Sequence, residues 1–153
     1  MRHEIVELTA SHLNHIVTVA READRVEFSY QDPRPMREVL EEMLRKSHRA
    51  RCGLIDGEPV CCFGVIRPVV LTTEGHPWAV ASRLVEEKGY RRVFLQQSRR
   101  GLAEVVKGYT SICNIIHEEN SLAIRWLKWL GFTVSDARFD VGGGWFRHFE
   151  MKV

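Results

Sequence analysis

The sequence has no long hydrophobic run and no excess of charge of one sign. No apolar segment approaches the roughly 20 residues that a helix needs to cross a bilayer, and residues 1–6 carry charge too early for a secretory signal. Lysines and arginines number 22 against 20 aspartates and glutamates, which gives a formal net charge of +2. We therefore expect no membrane segment, and the near balance of charge argues against a nucleic-acid binder.

The sequence also lacks cysteine pairs with C-x-x-C spacing. Its four cysteines each lie in an apolar run that predicts a strand: Cys52, Cys61, Cys62 and Cys113. Such thiols are typically buried and reduced in proteins made in the cytosol. His12 and His15 are three residues apart on a predicted helix, but no third ligand is apparent. We therefore expect no metal centre.

The remaining composition suits one globular domain. A chain of 153 residues can bury a sizeable core. Its hydrophobic content of 44% and charged content of 27% are ordinary for a soluble protein. No internal repeat and no linker interrupts the sequence, so we expect a single domain over residues 1–153.

Residues 120–132 form the most informative segment of the chain. Asn120 suits a helix N-cap, where its side chain can accept from a free backbone N–H. Gly131 suits the position just past the helix end, where φ is usually positive. Between them one apolar stripe has helical spacing: Ala123, Trp126, Leu127 and Leu130. A predicted strand precedes this helix, and Phe132 begins another, so the local order is strand, helix, strand.

Alternating and apolar runs predict the strands. We expect them at residues 4–8, 51–55, 59–66, 78–82, 110–117, 134–139 and 145–152. Asp56 and Gly57 form a dipeptide preferred in tight hairpin turns. The glycines at 142–144 allow a second hairpin to close between the last two strands.

Helices are predicted after Thr9, after Pro35 and over most of residues 83–109, in addition to the helix of residues 120–132. The 83–109 segment should break near Lys88 and Gly89. The charge-dense residues 21–27 are expected to form a solvated, salt-bridged turn, or alternatively a lip that faces a substrate.

The pattern Asn-x-x-Ala-(x7)-Gly-Phe at 120–132 resembles the acetyl-CoA-side motif of the GNAT acyltransferase superfamily. The predicted order of elements, β-α-α-β-β-β-α-β-α-β-β, also matches that superfamily. The resemblance implies an α/β (α+β) fold, with a mixed, mostly antiparallel sheet of six to seven strands flanked by about four helices. It implies that Asn120, Ala123 and Leu127 lie at the cofactor.

Two parts of the GNAT pattern are missing. The family cradles the cofactor pyrophosphate with (Gln/Arg)-x-x-Gly-x-(Gly/Ala) after its fourth strand, but residues 83–92 contain a single glycine and the acidic pair Glu86 and Glu87. Residues 98–103 match half of the pattern, yet they follow a predicted helix rather than a strand. The position of the family's tyrosine acid is Leu127, and Tyr90 and Tyr109 are the nearest substitutes in sequence.

A general base is also required, because an ammonium group cannot attack a thioester until it loses a proton. His117, Glu118 and Glu119 close the strand before the helix and are the catalytic candidates. The alternatives are structural: Glu119 favours the helix N-terminus, and Glu118 pairs with Arg125.

A narrower resemblance is to the internal virion protein A family of short-tailed phages. It rests on residues 20–25, on 55–59 leading into 62–65, and above all on 120–132. This resemblance implies a virion-associated structural or assembly protein with a degraded acetyl-CoA site. No cofactor is then expected, other phage virion proteins or a second copy are the partners, and the protein occupies the host cytoplasm before it enters the virion.

The alternative is an active acetyl-CoA-dependent N-acetyltransferase with a divergent cofactor loop. The missing cradle and the missing tyrosine favour the virion protein, so the sequence alone leans away from an enzyme.

Overall fold

The computed structural model describes residues 1–153 as seven strands and five α-helices. The strands are β1 (His3–Glu7), β2 (Ser47–Ile55), β3 (Glu58–Ile66), β4 (Glu74–Ala81), β5 (Ser111–His117), β6 (Thr133–Val141) and β7 (Gly144–Lys152). The helices are α1 (Ala10–Val19), α2 (Glu22–Gln31), α3 (Met36–Lys46), α4 (Lys88–Val105) and α5 (Ser121–Leu130). None of the helices is both long enough and apolar enough to cross a membrane.

All seven strands belong to one sheet with the order β1-β2-β3-β4-β5-β7-β6. Every neighbouring pair is antiparallel except β4 and β5, which run parallel. These two central strands pair only at Glu74 with Ser111 and at Gly75 with Ile112. Beyond these two pairs β4 and β5 diverge, which leaves a gap in the middle of the sheet. The mixed, mostly antiparallel sheet predicted from the sequence is confirmed.

Two hairpins have the turn geometry that their sequences predict. Asp56 and Gly57 have φ values of 50° and 80° between β2 and β3, and Gly142 and Gly143 have 59° and 92° between β6 and β7. Positive φ at both central residues is the type I′ arrangement, which matches the twist of the flanking strands. In the second turn a Cβ on Gly142 would lie 2.1 Å from the Tyr30 carbonyl oxygen. The hairpin tip is therefore pressed against the end of α2.

The core lies on both faces of the sheet. Helices α1 and α3 cover one face around Leu13, Ile16 and Leu40, which are fully buried. Helices α4 and α5 cover the other face around Ile112 and Leu127. The gap between β4 and β5 therefore lies between the two helical layers, one on each face of the sheet.

Helix α5 confirms the prediction made from residues 120–132, with one correction. It ends at Gly131, whose φ is 109°, and Leu127 is buried against the sheet. Trp126 is partly buried, and its Nε1 donates to Ser98 Oγ at 3.1 Å. The side chain of Asn120, however, makes no capping hydrogen bond, because it points away from the helix to charged groups on α2.

Residues 21–27 are not the solvated turn that their charge predicts. They form most of α2, a helix missing from the predicted order, and Arg21 and Asp24 are buried. The chain thus has five helices rather than about four. Strand β4 also begins earlier than expected, at Glu74. Residues 98–103 lie inside α4 and do not form a phosphate loop, as their place after a predicted helix indicated.

We expect Leu127→Ala to destabilise the protein by about 2–5 kcal/mol, because the truncation leaves a cavity beneath α5. Trp129→Ala, two residues further along on the exposed side of α5, is the matched control and should cost about 1 kcal/mol or less. Urea denaturation of the two variants measures both values. A Trp129 variant that loses as much stability as the Leu127 variant would show that Trp129 belongs to the core.

Candidate functional site

The gap between β4 and β5 opens into a cavity of about 240 Å³. Most of its lining is apolar and comes from both helical layers and from the two diverging strands. The three residues predicted to contact a cofactor all line it: Asn120, Ala123 and Leu127. A cleft of this size with a few convergent polar groups is the usual form of a small-molecule site.

Three buried polar side chains meet at the mouth of this cavity. Arg21 donates from Nη1 to Asp24 Oδ1 at 2.9 Å and from Nη2 to Asn120 Oδ1 at 3.3 Å. Asn120 Nδ2 also donates to Asp24 Oδ1 at 3.3 Å. All three residues are at most 6% exposed. We call this set, which joins the start of α2 to the start of α5, the Arg21–Asn120 network.

Helix α2 also satisfies the ends of the two diverging strands. Asp24 Oδ2 accepts from the backbone N–H of Ala81, the last residue of β4, at 3.0 Å. Glu27 Oε1 accepts from the backbone N–H of His117, the last residue of β5, at 2.8 Å. Asp24 and Glu27, on successive turns of α2, therefore accept the backbone hydrogen bonds that a neighbouring strand would otherwise accept from the ends of β4 and β5.

Burial raises the pKa of both acids. For Asp24, burial outweighs the Arg21 guanidinium, which acts in the opposite direction. For Glu27, burial raises the pKa to about 7, although the His117 N–H opposes the shift. Asp24 uses both carboxylate oxygens in hydrogen bonds, whereas Glu27 Oε2 makes none. Glu27 is therefore the acid of the site that is free to exchange a proton near neutral pH.

Glu27 was not among the catalytic residues predicted from the sequence. The sequence pointed to Glu27 only through the alternative prediction that residues 21–27 face a substrate. The residues that were predicted lie elsewhere: His117, Glu118 and Glu119 line a separate cavity of about 110 Å³ with Tyr30 and the β6–β7 turn.

The three predicted residues differ in their surroundings. His117 is buried, and its ring centroid lies 4.9 Å from that of Tyr30 and 5.2 Å from that of Phe146. Glu118 pairs with Arg147 at 2.8 Å and Arg138 at 3.2 Å, not with Arg125, and these bonds hold its pKa below the usual range. Glu119 is exposed. Of the three, only the His117 backbone contacts a group at the main cavity, Glu27.

The N-terminus of α4 follows β4 after one 3-10 turn, Arg83–Glu86. Its first helical hydrogen bond runs from the Arg91 N–H to the Glu87 carbonyl, so the amides of the three residues before Arg91 have no partner within α4. Such an end attracts anions. Arg21 Nε, buried and without a hydrogen-bond acceptor, lies 3.7 Å from Glu86 Oε2 just ahead of this helix. The predicted break at Lys88 is thus a helix start.

Neither of the two candidate tyrosines lines the cavity. Tyr109 lies before the first residue of β5, at the opposite end of the strand from Asn120, and its hydroxyl is 3.3 Å from His48 Nδ1. Tyr90 packs partly buried beside the core near Val85. Leu127, at the family's tyrosine position, is an apolar wall of the cavity.

The fold is that of the GNAT acetyltransferases. Spermidine N-acetyltransferase from Vibrio cholerae in complex with CoA and spermine matches with a TM-score of 0.68 at 13% identity, covering 98% of this chain and 95% of that one. PaiA N-acetyltransferase from Thermoplasma acidophilum in complex with coenzyme A matches with a TM-score of 0.66 at 15% identity, and the match covers all of both chains. At such identities the similarity establishes the fold alone. No protein-family model and no curated protein sequence matches the chain.

The raised pKa of Glu27 makes the stability of the protein depend on pH. Because the folded state disfavours the ionised carboxylate, stability is lost as the pH rises from about 4.5 to about 7. Over this pH range we expect the free energy of unfolding of the wild type to fall by about 3 kcal/mol more than that of Glu27→Gln. Glu22→Gln, on the exposed side of the same helix, should follow the wild-type curve. Chemical denaturation at a series of pH values tests this, and parallel curves for wild type and Glu27→Gln would contradict the burial of a titrating acid.

Proposed function

We propose that the protein is an acetyl-CoA-dependent N-acyltransferase, the alternative that the sequence placed second. The observation that carries the proposal is Glu27, a carboxylate with a pKa near 7 and a free Oε2 at the mouth of the cavity between two diverging strands. A carboxylate of this kind suits the removal of a proton from an amine at neutral pH.

The residues around the gap fit a coenzyme A molecule. Pro77 and Ala81 make hydrogen bonds toward the β5 side of β4, and strand alternation directs the backbone of Ala79 into the same gap, where a pantetheine chain can pair with it. The α4 N-terminus offers free amides to a pyrophosphate. Arg21 adds a buried guanidinium nearby, whose Nε makes no hydrogen bond and lies 3.7 Å from Glu86 Oε2. Solved structures of the same fold in complex with CoA support this assignment.

When bound, acetyl-CoA supplies a thioester as the acyl donor. The protein's own residues prepare the acceptor. Glu27 Oε2 takes a proton from the acceptor ammonium, which leaves a lone pair free to attack the acyl carbon, while Oε1 stays bound to the His117 N–H and, at 3.5 Å, to Asn120 Nδ2. The thioester C–S bond would then break, and CoA would leave as a thiolate that takes its proton from solvent, because no tyrosine lines the cavity. The apolar wall that includes Ala123 and Leu127 excludes water from the reacting groups.

The acidic pair ahead of α4 is compatible with this site. Glu86 lies near Arg21, so part of its charge is compensated, and Glu87 is exposed to solvent, which screens its charge. Lys88, Arg91 and Arg92 add positive charge on the first turn of the helix. The lack of a glycine-rich loop therefore weakens a pyrophosphate site without removing its main donors, the backbone amides.

We expect calorimetry with acetyl-CoA to find one site tighter than about 100 µM, roughly −5.5 kcal/mol. The free CoA released in the presence of primary amines, including spermidine and a peptide with a free N-terminus, is measured by chromatography. Glu27→Gln should lower kcat by about 100-fold or more while acetyl-CoA affinity stays within about twofold. In wild type, kcat should rise with pH through about 7 as Glu27 ionises.

Glu22→Gln is the matched control for this experiment, because Glu22 is exposed on the same helix. It should keep both the affinity and kcat of wild type. Absence of a site tighter than about 100 µM would remove the acyltransferase proposal. If Glu27→Gln binds acetyl-CoA and keeps the wild-type kcat, the cofactor assignment stands and the general base is another group.

A second candidate is the virion protein. Two exposed tryptophans, each stacked on an arginine, favour it. The Arg99 guanidinium lies 4.1 Å from the ring centroid of Trp129. The Arg138 guanidinium lies 4.5 Å from the ring centroid of Trp145. Tryptophan and arginine are enriched at protein interfaces. Phe28 and Tyr30 are less suited to such a surface, because Phe28 packs on the core and Tyr30 packs on His117.

If this candidate is correct, mass spectrometry of purified particles should detect the chain in phage that encodes it. Trp129→Ala should lower its amount in the particles, since the indole is removed from the docking surface without loss of the core. Exposed Lys107→Ala is the control and should leave incorporation unchanged. Absence of wild-type protein from the particles would remove this second candidate.

A further inference from the structure

Three metal-binding side chains converge where β4 and β5 begin: Glu74, His76 and Cys113. Cys113 Sγ lies 3.5 Å from Glu74 Oε1 and 3.8 Å from His76 Nδ1. One donor atom from each residue lies within 4.8 Å of the others. The cluster lies at the opposite end of β5 from Asn120 and Glu27, so the function proposed above does not use it.

The sheet explains why these residues meet. Side chains two apart on a strand share a face, so Glu74 and His76 project from the same side of β4. The only parallel pairing in the sheet, Glu74 with Ser111 and Gly75 with Ile112, brings Cys113 beside them. Glu150 is directly opposite Cys113 on β7 and therefore lies on the same face of the sheet.

The spacing matches a tetrahedral zinc ion. With Zn–S near 2.3 Å and Zn–N or Zn–O near 2.0–2.1 Å, neighbouring ligand atoms in a tetrahedron are about 3.6 Å apart. The two distances from Cys113 Sγ, 3.5 and 3.8 Å, bracket this value. The donor atoms of Glu74 and His76 lie within 4.8 Å of each other, so an ion that binds all three groups draws these two side chains closer together.

We propose that Glu74, His76 and Cys113 form a zinc-binding site. A thiolate with an imidazole selects zinc or a similar transition ion over magnesium and calcium, which prefer oxygen ligands alone. His76 Nδ1 lies 3.0 Å from the Cys113 carbonyl oxygen, so metal binding replaces that hydrogen bond and requires the imidazole proton on Nε2. The ion then joins β4 to β5 at the only point where they pair.

Cobalt provides the direct test, because a cysteine thiolate bound to Co²⁺ gives a sulfur-to-metal absorption band in the near ultraviolet. Co²⁺ is titrated into the reduced full-length chain, and Zn²⁺ is then added in competition. We expect one Co²⁺ per chain with this band, displaced by one equivalent of Zn²⁺. Zn²⁺ should also raise the Tm, because it binds only the folded arrangement.

Cys113→Ser should abolish the band, and His76→Gln and Glu74→Gln should each weaken Zn²⁺ binding at least tenfold. Cys61→Ala is the control, because that thiol is buried elsewhere and should leave the band unchanged. The Tm of each variant without metal verifies that it folds. A wild-type chain without the band, a band retained in Cys113→Ser, or Zn²⁺ affinity unchanged in His76→Gln would each overturn the proposal.

Discussion

The structure depends on the early separation of β4 and β5. Two parallel strands that part after two residue pairs leave backbone donors and acceptors that would otherwise be buried without partners. Helix α2 supplies those partners through Asp24 and Glu27, one at each strand end. The cavity, the burial of two acids and the need for Arg21 beside them all follow from this one break in the sheet.

The elements with local signals were predictable, and those that depend on distant partners were not. Helix α5 is specified by its apolar stripe and by Gly131, and the hairpin at Asp56 by its turn residues. Burial of charge in α2 depends on Asn120, which is 99 residues from Arg21 in the sequence. The same limit applies to Cys113 and His76, which are 37 residues apart and meet only through a parallel pairing that composition does not reveal.

The proposed base, Glu27, lies in a segment without a local signal, whereas its neighbours lie beside the predicted cofactor helix. Residues 117–119 were selected because they end a strand beside the predicted cofactor helix, and the structure does place His117, with the predicted cofactor residue Asn120, in contact with Glu27. The acid itself belongs to the charge-dense residues 21–27, whose sequence predicts a solvated turn. Its raised pKa reduces the stability of the fold near neutral pH, a loss typical of sites that keep a reactive group out of water.

The contact between the β6–β7 turn and α2 has a consequence for how the protein assembles during synthesis. A Cβ on Gly144 would approach the Tyr30 ring to 2.9 Å, so the tip of the last hairpin closes directly over the end of α2. Helix α2 lies in about the first fifth of the sequence and is synthesised early, whereas its partners His117, Asn120 and Gly144 lie in the last third and are synthesised late. The acids of α2 consequently remain hydrated on the nascent chain, and the site forms only when the C-terminal strands close the sheet.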